Sequence, residues 1–253
     1  LKIGGVWSPE SCQSHEKVVI IVPYRNRTDQ LMAFLRYMHW FLQRQLVHYR
    51  IVIMQQTGRA LFNRGMLMNV GFSEIKQLQH VDCVIFHDID LLPENDRILY
   101  RCENMPKHMS AAVSSFHYKL PYSNMFGGVE AFKVAQFHTI NGFSNSYFGW
   151  GGEDDDLYKR VYLHRLEILR DDQTLARYYM MTHADQPKNP KRFDLLKKST
   201  SRFETDGLNS LVYKCLYIEE RPFFTLILVD LDEMFQVRLF FYLFFFSKLT
   251  LAH

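Results

Sequence analysis

The sequence predicts an α/β domain on a mixed, mainly parallel central sheet, and three observations carry that prediction. Short, wholly apolar runs recur in the N-terminal third: Val18-Val-Ile-Ile-Val22, Ile51-Val-Ile-Met54 and Cys83-Val-Ile-Phe86. Runs without alternation read as strands buried on both faces, the habit of parallel sheets. Between them lie segments with helical spacing, Leu31, Leu35, Met38 and Leu42 in the first and Leu67, Val70, Ile75 and Leu78 in the second. Strand, helix, strand, helix, strand at these lengths is a βαβαβ unit with right-handed crossovers. A chain of 253 residues holds one large core, so a single domain is expected.

The elements follow in order. Pro23 is expected to end the first strand, and Thr28 to cap the first helix, with Asp29 in its first turn. Beyond the third strand the pattern mixes. Residues 111–115 read as a strand, 122–129 as a glycine-containing loop or strand, and 130–140 as a helix. The run Gly149-Trp-Gly-Gly-Glu-Asp-Asp-Asp156 passes from an aromatic, glycine-rich loop into four carboxylates. Those acids fall where a helix begins, through Leu157 and Val161 to His164, and exposed N–H groups there favour negative charge. A weak strand is expected at 167–170, a loop at 184–190, a helix at 193–203 ended by Gly207, and strands at 211–218 and 223–229. No internal repeat is present.

Composition narrows the function classes. Net charge is only +3, with 30 Lys and Arg against 27 Asp and Glu, which gives no support for a nucleic-acid partner. The apolar fraction of 47% is that of a folded globular chain. The four cysteines, Cys12, Cys83, Cys102 and Cys215, lack the paired short spacings of a thiolate zinc site. Cys83 and Cys102 flank one strand and loop, and spacing leaves their pairing open. The apolar run 239–246 is too short to span a bilayer as a helix. The first residue is not Met, which points to a fragment or processed form.

Ligands of parallel sheets bind beyond the carboxyl ends of the strands. Arg25 and Arg27 follow the first strand, Arg64 lies beyond the second, and Asp88-Ile-Asp90 follows the third. These charges are expected to converge at one sheet edge, either as a surface ion-pair cluster or as a site for a phosphorylated ligand and a divalent cation. Side chains alternate along extended backbone, so Asp88 and Asp90 are expected on one side of the strand end. Two other Asp-x-Asp patterns occur, Asp154/Asp156 and Asp230/Asp232, and position after a buried strand sets the first apart. By residue type alone His183 and Met180 read as ordinary core or surface side chains.

The chain also resembles a known family over about residues 4–232. The matching blocks are Pro23-Tyr-Arg-Asn-Arg27, Phe62-Asn-Arg64 with Asn69-Val-Gly-Phe72, Asp88-Ile-Asp90, Pro121-Tyr122, Phe126-Gly-Gly-Val129, Ile140-Asn-Gly-Phe143, the Trp150 block above, Asn189-Pro190, Arg192-Phe193 and Asp206-Gly-Leu-Asn-Ser-Leu211. In these blocks the sequence resembles the β-1,4-galactosyltransferases, inverting and metal-dependent enzymes. The resemblance implies a GT-A catalytic domain over 1–233, followed by a non-homologous Phe-rich tail over 234–253. It implies transfer of galactose or N-acetylgalactosamine from UDP-galactose or UDP-N-acetylgalactosamine to a terminal GlcNAc or glucose.

Carried over by position, Asp90, Met180 and His183 would bind Mn²⁺, with Asp88 supporting the site. Arg25, Arg27, Phe62 and Arg64 would hold the nucleotide, and Met125, Gly128 and Trp150 would border the donor sugar. Asp154 would be the general base, flanked by Glu153, with Asp155 orienting the acceptor hydroxyl. Tyr122, Gly152, Arg192 and Phe193 would line the acceptor side. Met125 stands where most vertebrate members have tyrosine, which implies room for an N-acetyl group. The loop from His183 to Arg192 is shorter than in the best-known members. The resemblance further implies a Cys83–Cys102 disulfide and a Golgi-lumenal, type II membrane protein whose anchor lies outside this chain. A catalytically silent relative that binds glycans or partners is the alternative, as is a metal-dependent hydrolase of nucleotide sugars.

Overall fold

The computed structural model describes residues 1–232, so the tail expected at 234–253 lies outside the described residues. In chain order the strands and helices are β1 (Val6–Trp7), β2 (Lys17–Tyr24), α1 (Thr28–Arg44), β3 (His48–Thr57), α2 (Arg64–Leu78), β4 (Cys83–His87), β5 (Leu91–Pro93), β6 (Lys107–His108), β7 (Ala112–Val113), β8 (Val129–Lys133), α3 (Val134–Thr139), α4 (Glu153–Leu163), β9 (Arg177–Met180), α5 (Arg192–Lys197), β10 (Lys214–Arg221) and β11 (Phe224–Asp230). The main sheet runs β10-β11-β3-β2-β4-β8-β6, with β1 also on β3. Its centre, β11, β3, β2 and β4, is parallel, and antiparallel strands flank it on both sides. A small second sheet, β5-β9-β7, stands beside it.

The apolar runs divide their side chains between two cores, as burial on both faces requires. From β2, Val18, Ile20 and Val22 pack with Phe34, Met38 and Phe41 of α1. Val19 and Ile21 point the other way, among Met66, Val70 and Phe72 of α2 and Leu157 and Val161 of α4. The Cys83–Cys102 disulfide is formed, tying β4 to the loop after β5. Cys12 and Cys215 are free thiols.

Several elements depart from expectation. Pro23 does not end β2: the β4 ladder stops at Ile21, so the missing proline N–H costs no bond on that side. Thr28 is not the cap of α1; Arg27 holds that position, without a side-chain cap bond. The helix expected at 130–140 is instead β8 followed by the short α3. Val129 and Ala131 face one core and Phe132 the other, and a short apolar run cannot be told from a helix by periodicity. The strand at 111–115 shrinks to β7, and 167–170 contributes only an isolated bridge at Leu169. The helix at 193–203 closes early as α5 and continues as a 3₁₀ turn at Ser199–Ser201. β10 begins at Lys214 rather than 211.

Candidate active site

A cavity of about 530 Å³ opens at the carboxyl ends of β2 and β4. It is lined by Arg25, Arg27, Phe62, Arg64, Asp88, Asp90, Met125, Gly128, Trp150, Glu153, Asp154, Met180 and His183, among others. The sheet-edge charges therefore do converge. Tyr122, Gly152, Asp155, Arg192 and Phe193 do not line it.

Asp88 and Asp90 do not share one side of an extended strand. β4 ends at His87, and the two acids sit in a turn closed by Leu91 N–H donating to Asp88 O (3.3 Å). Each carboxylate thus meets its own partners. Asp88 Oδ1 accepts from Arg64 Nε at 2.5 Å, whereas Asp90 Oδ2 accepts from Arg27 Nη1 at 3.2 Å. Buried His87 braces the turn, with Nδ1 2.8 Å from Asp88 O and Nε2 2.7 Å from Tyr100 Oη. Burial depresses its pKa to about 4, so it serves as a neutral ring.

The β5–β9 pairing, with Leu91 opposite Met180, brings Asp90 beside Met180 and the loop carrying His183. His183 Nε2 lies 2.8 Å from Asp90 Oδ2. Its Nδ1 lies 2.8 Å from Ala184 O and 3.2 Å from Arg27 Nη2. Nδ1 thus meets one acceptor and one donor, while Nε2 faces the carboxylate, so Asp90 and His183 bring two metal-ligating atom types to one spot. Burial, then the charge of Asp88, raises the Asp90 pKa, which a cation would reverse. Carboxylate, imidazole and thioether together fit a divalent transition metal. Among the described residues no cluster of three or more His, Cys, Asp or Glu side chains is arranged to hold a metal.

Arg64 opens α2, after Asn63, whose side chain accepts from Met66 N–H at 2.9 Å. A cation at a helix N-terminus is electrostatically misplaced. Three carboxylates offset that: Asp88 on Nε, Glu130 on Nη2 at 3.1 and 3.3 Å, and Glu153 4.0 Å from Nη1. Burial opposes the guanidinium charge, but the acids outweigh it and hold Arg64 firmly protonated. Arg64 Nη1 and Glu153 Oε2 are buried without a hydrogen-bond partner, a pair of opposite polar atoms a ligand can satisfy.

The acidic run starts α4 as expected, after Gly152 at φ +95°. Its four acids have separate surroundings. Asp156 is fully buried and structural, accepting from Arg160 Nε (2.6 Å) and Tyr147 Oη (3.0 Å). Asp155 accepts from Tyr122 Oη at 3.0 Å. Asp154 and Glu153 face the cavity. Burial, then neighbouring Asp155, raises the Asp154 pKa; burial, then Asp154, pushes Glu153 up to about 7. Trp150 is 58% exposed at the mouth, its loop pinned by Trp150 N–H to Pro187 O (2.9 Å) and Asn189 N–H to Trp150 O (3.0 Å). Arg25 donates to Ala60 O (2.8 Å) and lies over the Phe62 ring. The Arg192 guanidinium covers exposed Phe193, 4.3 Å from the ring centroid.

Sequence reasoning missed Glu130, Arg170 and His108. Arg170 donates through Nε to His108 Nδ1 (3.1 Å) and through Nη2 to Ser123 O (3.0 Å) and Met125 O (2.9 Å). His108 Nε2 donates to Gly127 O at 2.9 Å. Together they hold residues 123–127 from behind. The lone charge in the run Val129-Glu-Ala-Phe132, directly after two glycines, was a usable signal for Glu130. Arg170 and His108 carried none.

Known proteins are similar to this chain in both sequence and fold. Residues 1–103 match the N-terminal region of glycosyl transferase group 7, and residues 107–184 the N-terminal domain of galactosyltransferase. Human β-1,4-galactosyltransferase 1 is 43% identical over 234 residues, 91% of this chain and 59% of that protein. β-1,4-Galactosyltransferase 4 of Cricetulus griseus is 45% identical over 230 residues, 90% of this chain and 67% of that protein. The chain thus spans about three fifths to two thirds of these relatives. The catalytic domain of Drosophila β1,4-galactosyltransferase 7, solved with xylobiose, superposes with a TM-score of 0.75 at 31% identity, covering 86% of this chain and 94% of that one. A mutant of the same enzyme, solved with manganese, UDP-Gal and xylobiose, superposes equally well. Both halves of the chain, its overall sequence and its fold thus lead to one assignment: it belongs to the β-1,4-galactosyltransferase family, and its domain is a GT-A fold.

Proposed function

We propose that this protein is an inverting glycosyltransferase that moves galactose or N-acetylgalactosamine from a UDP-sugar to the 4-OH of a terminal GlcNAc or glucose of a glycan. One observation carries the reading: a single cavity is lined both by the Asp90–His183 pair and by Asp154, a carboxylate with a raised pKa. Inversion needs a base and a leaving-group stabiliser within one site, acting from opposite sides of the sugar. That Drosophila β1,4-galactosyltransferase 7 was crystallised with manganese, UDP-Gal and a disaccharide supports the donor, the ion and a sugar acceptor.

Asp90, His183 and Met180 would hold Mn²⁺, which when bound neutralises charge on the departing diphosphate. The remaining work falls to the chain's own groups. Arg25 and Phe62 offer a cation–aromatic cradle for the nucleotide, and Arg27 and Arg64 offer guanidinium edges for phosphate or sugar oxygens. Asp154 accepts the proton of the acceptor hydroxyl, while Asp155, fixed by Tyr122, orients that sugar. Exposed Trp150 is the surface that covers the sugars and excludes water. Arg192, Phe193 and Gly152 border the acceptor. The Cys83–Cys102 disulfide suits an oxidising lumen such as the Golgi, with any anchor outside this chain. No helix among the described residues is long and apolar enough to cross a membrane.

Purified protein with Mn²⁺, UDP-Gal or UDP-GalNAc, and a GlcNAc-terminated acceptor tests the reading. Transfer is expected with at least one donor and lost on chelation. No transfer from folded protein favours the silent, glycan-binding alternative. UDP release that ignores the acceptor favours a hydrolase.

A further inference from the structure

Glu130 is the most deeply buried acid beside the cavity, and no role above requires it. It sits in β8 opposite Phe86 of β4 and His108 of β6, with no exposed surface. Alternation along β8 turns it toward the core that contains α2, where both carboxylate oxygens reach Arg64 Nη2. Charge balance does not need it, because Asp88 and Glu153 already flank the same guanidinium. A third acid in that setting is a liability. Burial, and the charge of Asp88 against it, push its pKa up to about 8 despite Arg64.

Geometry supplies the reason for keeping it. A guanidinium is a planar fork with three donor edges. Asp88 takes Nε; Glu130, with Gly128 O at 3.4 Å, takes Nη2; Nη1, 4.0 Å from Glu153, alone makes no hydrogen bond. Two fixed edges define the plane and aim the third. We propose that Glu130 is a positioning residue, which locks the Arg64 plane so that Nη1 is presented to the donor substrate. The inference rests on the nucleotide-sugar reading of the cavity, and it adds a residue that acts only through Arg64.

The test uses the whole chain with Glu130→Gln, Glu130→Met and Arg64→Lys, alone and combined, each checked for folding by thermal melting. Glutamine keeps one acceptor oxygen and methionine keeps only bulk. Glu130→Met is expected to raise the KM for UDP-Gal roughly tenfold with little change in acceptor KM, and Glu130→Gln to recover most of that loss. In the Arg64→Lys background, where no fork remains to be aimed, Glu130→Met is expected to change donor KM less than about twofold. Full additivity of the two changes, or equal loss for donor and acceptor, overturns the proposal. A ligand-free reading comes from ¹⁵N spectra: the Arg64 Nη protons are expected to be resolved in the wild type and averaged in Glu130→Met. If they stay resolved in a folded Glu130→Met variant, the anchor is not Glu130. Wild-type protein that binds no UDP-Gal sinks the nucleotide-sugar reading, whereas unaltered variants beside a binding wild type sink this one.

Discussion

Gly127 and Asp154 compete for one small volume: a Cβ at Gly127 would stand 2.8 Å from Asp154 Oδ2. The glycine backbone there is outside the left-handed region, so alanine meets a steric obstacle and not a conformational one. The obstacle is the carboxylate proposed as base. Gly127→Ala is therefore expected to fold with nearly the wild-type melting temperature while kcat falls by about 10²-fold, the effect of displacing a catalytic group by an ångström or less. A variant of normal stability and normal kcat would mean that Asp154 need not sit where it does.

The raised pKa of Asp154 has a kinetic sign. Burial is the larger cause and the Asp155 charge the second, and both disfavour the ionised form. A base works deprotonated, so kcat/KM is expected to fall with decreasing pH through a pKa above the ordinary aspartate range. Asp155→Asn removes one of the two causes, and its acid limb is expected to move to lower pH, apart from any loss of acceptor binding. Asp154→Asn is expected to lower kcat by about 10²–10⁴-fold and to abolish that limb. pH–rate profiles of the three proteins decide it; an unshifted limb in Asp155→Asn contradicts the electrostatic account.

The parallel centre of the sheet was legible because β2, β3 and β4 are buried on both faces and carry uninterrupted apolar residues. β8 was not, because Glu130 interrupts its short apolar run and leaves no uninterrupted stretch to read as a buried strand. The convergence of Arg25, Arg27, Arg64, Asp88 and Asp90 followed from topology alone, since strand ends of one parallel sheet share an edge. How the two aspartates divide their partners did not follow, because it depends on a turn after His87 that alternation cannot describe. The proposed ligand set Asp90, Met180 and His183 rests on family resemblance and could not be reached from spacing. Its members are distant in sequence, and the pairing of Leu91 with Met180 that joins them is a tertiary fact.

Buried Glu130 also makes a stability prediction. Its folded pKa is about 8 against an ordinary value of 4.5, so between those values the folded protein binds more protons than the unfolded chain. Stability from this group is present at low pH and lost as pH rises toward 8. Below pH 6.5 the effect is masked, because His87 and His108, depressed by burial to about 4 and about 3, make acid destabilising. Between pH 6.5 and 8 Glu153, pushed up to about 7, acts in the same direction, so Glu130 is read from the difference between wild type and variant. There the ligand-free wild type is expected to lose melting temperature as pH rises, and Glu130→Gln to lose less. Parallel curves would show that Glu130 is ionised throughout.

Arg170 and Met125 join the cavity to its support. Met125 lines the cavity, its carbonyl is held by Arg170 Nη2, and Arg170 in turn leans on neutral His108. The side chain at 125 should set which sugar fits, and the bonds behind it should set how sharply. Met125→Tyr fills space and adds a hydroxyl, and the ratio of UDP-Gal to UDP-GalNAc rates is expected to rise by about tenfold or more. Arg170→Met removes bonds to two carbonyls and one imidazole, and Arg170→Lys cannot restore their fork geometry. Both Arg170 variants are expected to raise donor KM severalfold and to blunt the effect of Met125→Tyr when combined with it, because a loosened loop lets the new ring move aside. Rates with the two donors, across the wild type and the single and double variants, measure this. An unchanged ratio in Met125→Tyr removes Met125 from donor selection, and an undiminished effect of Met125→Tyr in the double variants removes Arg170 from its support.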